Sequence, residues 1–390
     1  TVNPFKSNSQ ETNFKHININ DGLSQNAVFA IIKDSRGFMW FGTKDGLNKY
    51  DGYNFVVYQY NPFDSTTISA NYVTSLFEDS RGLIWVGTYD GGLSFYERGS
   101  EIFHQIDLSK DGISLRNTYE IKAITEDADS NIWVGTGGDG LFRLQLKPGG
   151  NLSFTAKRFV NEPGNKNSIS SNQVFAIHPD KQGFLWMGTG NGLNQLDLKS
   201  GEKFTNHIIK TKNPAAPENS NEYAISSIHE AKNGSLWLGT LGGLVRFNRT
   251  NGTYRYFPNR FDIYRYGWGN IVAIDEDKEG NLWLATAAEL MKFDVTKETY
   301  ASFTHDPVNP QSISFNSVSS LYIDNTEILW VGTSGMGIDF YNPKANRFAV
   351  FNIVAGPSSR TTSFSVRSVL EDDAGDVWIG AEVLYRWERK

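Results

Sequence analysis

Among its 390 residues the chain has no cysteine, which excludes disulfides, thiolate zinc sites and cysteine-held iron–sulfur clusters. The same absence leaves the compartment open, because cysteine-free chains occur on both sides of a membrane. No run of 18 apolar residues is present, so no segment reads as a membrane-spanning helix. Positive charge is not in excess: 37 Lys and Arg stand against 43 Asp and Glu, a net charge of −6, and the basic residues are dispersed. A phosphate-backbone partner is therefore not indicated, and no nucleic acid is expected to bind. The six histidines (His16, His104, His178, His207, His229, His305) show no metal-ligand spacing. Residues 1–10 are polar, without a charged start leading into an apolar core, so a signal peptide is either lacking or already removed.

Aromatic residues (14%) and glycine (37 residues) are abundant, and they recur in register. Eight tryptophans, Trp40, Trp85, Trp133, Trp186, Trp237, Trp283, Trp330 and Trp378, are spaced 45 to 53 residues apart, the period of a propeller blade. Twelve residues before each stands a β-branched apolar residue, from Val28 and Val73 to Val366, and ten residues before it a small one, from Ala30 and Ser75 to Ser368. This segment reads as an innermost strand A crowded around an axis. Glycine three residues before the Trp in six copies, usually with Asp three residues earlier, marks a tight turn that needs positive φ. Trp-x-Gly-Thr is then strand B, whose ring packs between neighbouring sheets while the Gly admits another backbone. Gly-Leu opens strand C, and segments such as 55–58 and 254–256 supply strand D. Four short strands per repeat make an all-β propeller.

Two closures are compatible with eight copies. Residues 14–18 resemble a strand D without its blade, and copy eight ends at residues 384–388 as a strand C without a strand D. Pairing these two remnants gives one eight-bladed ring. Alternatively seven blades close, over residues 1–350, and residues 351–390 begin a second propeller.

The form Asp-x-x-Gly-x-x-Trp-x-Gly-Thr-x-x-Gly-Leu, introduced by Asp21-Gly-Leu-Ser24 and carried by Trp40-Phe-Gly-Thr-Lys-Asp-Gly-Leu47, resembles the two-component regulator propeller family over nearly the whole chain. Departures are local: Ser130 and Glu327 replace the turn Gly, and Ala285 and Ala381 interrupt Gly-Thr. The resemblance implies a seven-bladed ring. It further implies the periplasmic sensor region of a hybrid two-component system, with a second propeller and a β-sandwich of the same chain following, then a membrane helix and a histidine kinase, and a homodimer in the full receptor. The implied ligand is an oligosaccharide released from a polysaccharide. No cofactor, metal or catalytic residue is expected in this portion. Alternatives are a carbohydrate-active or quinoprotein-type enzyme and a scaffold without ligand, but no facing carboxylate pair stands out. The acidic run Asp275-Glu-Asp277 faintly resembles a calcium loop and is explained by turn chemistry.

Blades five and six break the connector pattern Ile-Ser-x-Asn seen at residues 68–71, 169–172 and 313–316. Departures from a regular pattern mark where function is expected. The eleven residues from Arg260 to Asn270 contain Phe261, Tyr264, Arg265, Tyr266 and Trp268, flat faces for sugar rings beside forked donors for acidic groups. Because strands in a blade alternate direction, one face collects the D-to-A ends (Asn26, Tyr72, Tyr119, Asn172, Tyr223, Asn270, Asn316) and the B-to-C loops (Asp45, Asp90, Asp139, Asn191, Glu289). A saccharide or partner-domain contact is expected there, at Trp268, Tyr266, Tyr264, Arg265, Arg260, Asn270, Tyr223 and Glu289; the alternative is that these aromatics plug the gap over a wide channel or pack a neighbouring domain.

Overall fold

The computed structural model describes residues 12–106, 120–147, 152–199, 203–210, 224–259, 270–345, 366–373, 376–380 and 384–387. Within the compact unit Asn13–Pro343, seven antiparallel sheets of four strands succeed one another as propeller blades. Blade 1 is Val28–Lys33, Met39–Thr43, Gly46–Tyr50 and Phe55–Tyr58, strands A to D. Blades 2 to 6 repeat that order, with strands A at Val73–Glu78, Ile121–Glu126, Val174–Pro179, Ile225–Glu230 and Ile271–Glu276. Blade 7 contributes Val318–Ile323, Leu329–Thr333 and Ile338–Tyr341, and its outermost strand is the N-terminal Lys15–Ile17. The orphan strand at the start thus completes blade 7, which closes a seven-bladed ring, and it does not pair with the eighth copy. In a separate unit that copy forms a three-stranded sheet, Ser368–Glu371, Val377–Gly380 and Leu384–Trp387.

The repeated residues explain how blades adhere. Each strand A of the ring carries a bulge after its first residue, so Val73 opposes Thr88 while Ser75 already opposes Gly87. The bulge turns the first carbonyl of strand A toward the preceding blade, where hydroxyls of that blade's strand A take it: Thr74 Oγ1 and Ser75 Oγ donate to Ile121 O at 2.8 and 3.2 Å, and Ser226 and Ser227 to Ile271 O at 2.8 and 2.7 Å. The β-branched side chain beside it lies on the glycine of Trp-x-Gly-Thr; a Cβ on Gly42 would stand 2.6 Å from Val73 Cγ1. The next blade thus requires a small residue at both positions, the one on strand B being glycine in six blades and Ala285 in blade 6.

The strand-B tryptophan of each of the seven blades fills the seam toward the following blade. Trp85 is fully buried among Ile121, Ile132 and Phe142 of blade 3. Its indole Nε1–H donates to Asp79, 2.9 Å away, at the A–B turn, and the same bond joins Trp40 to Asp34, Trp133 to Asp127 and Trp186 to Asp180 at 2.7–2.8 Å. In these four blades the turn Asp, expected only for turn chemistry, therefore also satisfies a buried donor. Its other oxygen caps the turn amides, as Asp79 does for Arg81 N and Leu83 N. The need for positive φ persists where glycine is lost: Ser130 and Glu327 stand at φ 60° and 73°.

Candidate functional site: the loop face

The face formed by B–C loops and D-to-A connections is built from three repeated side chains. The Thr of Gly-Thr donates across the B–C loop, as Thr43 Oγ1 does to Gly46 O at 2.9 Å, and accepts Asp45 N at 3.1 Å. The connector asparagine joins that loop to the next blade: Gly46 N donates to Asn71 O at 2.7 Å, Asn71 Nδ2 to Asp45 Oδ1 at 3.0 Å, and Tyr60 N to Asn71 Oδ1 at 2.7 Å. Asn172 and Asn316 accept the equivalent amides of Asn161 and His305 at 2.7 and 2.6 Å. The connector isoleucines Ile68, Ile169 and Ile313 are buried beneath. The expected collection of loops on one face is therefore observed, and its asparagines are structural.

On this scaffold blades 1 and 2 hold a cavity of about 530 Å³, lined by Lys44, Tyr60, Asn71, Tyr72, Asp90 and Gln105 among others. Tyr72 stacks on Tyr89 with centroids 5.0 Å apart and planes at 12°, and Phe29 tilts against Tyr72 at 5.0 Å. Tyr89 is 50% exposed and Tyr60 43%, so flat apolar faces remain open beside the cavity. Burial, with the Glu120 carboxylate nearby, pushes the Tyr72 phenol above its usual range, so it stays a neutral hydroxyl at physiological pH. Glu120 pairs with Lys122 at 2.5 Å. Around the ring, Phe315 and Met336 of blade 7 are also exposed on this face.

A larger cavity, about 740 Å³, opens on the opposite face, lined by the A–B turns of blades 4 and 5 and by residues 246–255. Arg249 on its wall is held by its neighbours: it reaches Asp180 at 3.5 Å, Glu230 at 2.9 Å and Gly234 O at 2.5 Å. The same clamp recurs between blades 1 and 2, where Arg98 holds Asp34 at 3.0 Å and Glu78 at 2.8 Å. A repeated clamp is a fastening of the ring, so the loop face, with unengaged aromatic surface, is the better candidate despite its smaller cavity.

Of the residues expected to contact ligand, Tyr223, Arg260, Tyr264, Arg265, Tyr266 and Trp268 lie outside the described residues. Asn270 and Glu289 are on the loop face. Asn270 Oδ1 accepts Ser226 Oγ at 2.6 Å. Glu289 is 2% exposed, with Oε1 accepting Ser302 Oγ at 2.7 Å, so its carboxylate is turned into blade 6. Sequence reasoning placed Tyr72 on this face but missed its partner Tyr89. The signal was available: the residue after Gly-Thr is aromatic only in blade 2, against Lys44, Gly137, Gly190, Leu241 and Ser334 elsewhere. Asp277, in the calcium-like run, instead accepts Asn281 N at 2.8 Å and pairs with Lys292 at 2.7 Å. No metal-holding cluster occurs among the described residues. His178 and His229 share one environment, each facing the glutamate that ends the next blade's strand A, Glu230 at 2.8 Å and Glu276 at 3.7 Å.

The sequence pattern of the two component regulator propeller family matches residues 22–45, 67–90, 114–138, 168–191 and 312–335. Over 56 residues the chain is 54% identical to histidine kinase P4 of Formosa agariphila, a match covering 14% of this chain and 4% of that protein. In three dimensions it resembles the extracellular domain assigned to the hybrid two component system BT3049 from B. thetaiotaomicron, with a TM-score of 0.73 and 24% identity over 97% of this chain and 48% of that one. The chain thus spans about half of that domain. Virginiamycin B lyase from Staphylococcus aureus shares the fold, with a TM-score of 0.60 and 13% identity over 84% of this chain and 98% of the lyase. Blades 1 to 4 and 7 thus carry segments that match the pattern of this family, and the seven blades close into one ring.

Proposed function

We propose that this chain is the extracytoplasmic, periplasmic ligand-sensing portion of a hybrid two-component signalling protein. In this reading an oligosaccharide from polysaccharide breakdown binds the loop face, and the resulting shift in population passes through a second propeller and a β-sandwich of a homodimeric receptor to a histidine kinase. The observation that carries the ligand class is the open aromatic surface of Tyr60, Tyr72 and Tyr89 around a cavity lined by amides and charges. Sugar rings present C–H faces to such platforms and hydroxyls to such polar groups. The sensor assignment, in place of catalysis, draws support from the family match and from the hybrid two-component likeness; the lyase shares only the fold.

The test is a calorimetric screen of the chain against defined oligosaccharides, with product analysis by chromatography. Saturable binding without turnover is the expected result. Turnover of a bound sugar would replace the sensor reading with an enzyme. Absence of binding both here and in a longer protein containing the next propeller would remove the oligosaccharide.

A further inference from the structure

The closure strand Lys15–Ile17 is attached by a side-chain arrangement unlike that of any other blade. At one position of strand C, blades 1 and 4 carry a buried asparagine, Asn48 and Asn194. Asn48 accepts Ser24 N at 2.9 Å and returns a bond from Nδ2 to Ser24 Oγ at 2.8 Å; Asn194 does the same with Ser170, at 2.8 Å for both. In blade 7 this position is Asp339, fully buried, which accepts Ser314 N at 2.8 Å. A carboxylate cannot make the return donation, and Ser314 Oγ is left buried without a partner. In exchange, Asp339 Oδ1 faces Nδ1 of His16, its cross-strand neighbour on the closure strand, at 2.7 Å.

The other imidazole nitrogen, Nε2, faces the backbone carbonyl of Pro310 at 2.9 Å. Both partners of His16 are acceptors. A neutral imidazole has one N–H and can satisfy only one of them; the imidazolium satisfies both. We propose that the propeller ring is latched by a proton, with His16 as the imidazolium that fastens the N-terminal strand to Asp339 and to the connector at Pro310, and that loss of this proton loosens the closure. The charged group facing His16 from strand C of blade 7 is Asp339, and the connector packed against it presents a carbonyl and no charge to the ring nitrogens. The Asp339 hydrogen bond raises the His16 pKa above 6.5 against the opposing effect of burial. With the folded value raised, the stabilisation is complete below about 6.5, falls as pH rises, and is gone above the folded value. Across that window the attachment constant falls by up to about tenfold per pH unit.

The test uses the 390-residue chain, its variant Asp339→Asn with His16→Val, which installs the Asn48–Val57 pair of blade 1, and His16→Gln to assign the resonance. NMR titration is expected to give His16 a pKa above that of a free histidine. The thermal midpoint of the parent is expected to fall with pH over the same interval, while the double variant lacks that step. A His16 pKa at or below 6.5, or a double variant with the parent's pH profile, would overturn the latch. Asp339→Asn alone gives a second reading should the double variant not fold: it is expected to lower the His16 pKa and flatten the profile, and an unchanged His16 titration in it also overturns the proposal.

Discussion

The two faces of the ring are made from the same repeat and differ in how they spend their polar groups. On the turn face charges are engaged across blade seams. Arg98 and Arg249 each hold carboxylates of two blades, Lys33 of blade 1 meets Asp324 of blade 7 at 2.9 Å, and Ser35 and Ser80 donate from main chain and hydroxyl to Glu78 and Glu126 at 2.6–2.8 Å. On the loop face the repeated Thr and Asn satisfy the backbone locally, which leaves aromatic rings such as Tyr60 and Tyr89 free to face solvent. A closed ring of similar blades can thus fasten one rim with charges and leave flat apolar surface open on the other.

The largest expected effect lies beneath both faces. Trp85→Ala removes a fully buried ring and its bond to Asp79 and should cost about 3–5 kcal/mol in denaturant unfolding. A loss no greater than that of an exposed substitution would mean that the seam rings do not hold the blades together. Next comes Arg98→Ala on the turn face, which leaves Asp34 and Glu78 without their shared cation. The guanidinium is largely buried, so about 1–3 kcal/mol of stability should be lost with oligosaccharide affinity unchanged. The converse is expected for Tyr89→Ala on the loop face: affinity weaker by about 1–3 kcal/mol in calorimetry, stability changed by less than about 0.5 kcal/mol. Trp268→Ala, at a residue expected from the sequence to contact ligand, is tested with the same readout. If only Trp268 matters, the site lies at blades 5 and 6; if only Tyr89, at blades 1 and 2. If instead Arg98→Ala abolishes binding and neither aromatic change does, the contrast between the faces is wrong.

The smallest effect is in acid. Burial would raise Glu230, but its bonds from His178 and Arg249 hold it below the usual carboxylate range. For Asp324, burial is likewise outweighed by Thr326 and Lys33. Both stabilise the ring above the ordinary carboxylate values and lose that contribution as pH falls through their lowered ones. Arg249→Ala should therefore reduce the acid sensitivity of the thermal midpoint, and an unchanged pH profile in that variant would show that the clamp is not responsible.

The blade repeat was legible because its constraints are local and recur: the turn requires positive φ, strand A requires a β-branched start and a small third residue, and strand B requires a ring followed two residues later by glycine or, in blade 6, alanine. Even the exceptions were legible, since Ser130 and Glu327 adopt the conformation that glycine takes elsewhere. The common face of D-to-A connections and B–C loops also followed from strand alternation alone. Three features needed the tertiary structure. Which strand completes blade 7 is a pairing between residues more than 320 apart, and a lone Lys-His-Ile offers no periodicity to announce its partner. The bond from the turn Asp to the Trp indole, and the hydroxyls that take the next blade's carbonyl, arise only once side chains meet across turns and seams. The aromatic platform of Phe29, Tyr72 and Tyr89 draws on strand A of blade 1, a connector and a B–C loop of blade 2, which no window of sequence holds together. Sequence fixes what each blade must be, because its demands are met within one repeat; ring closure and site depend on contacts between repeats, which packing alone decides.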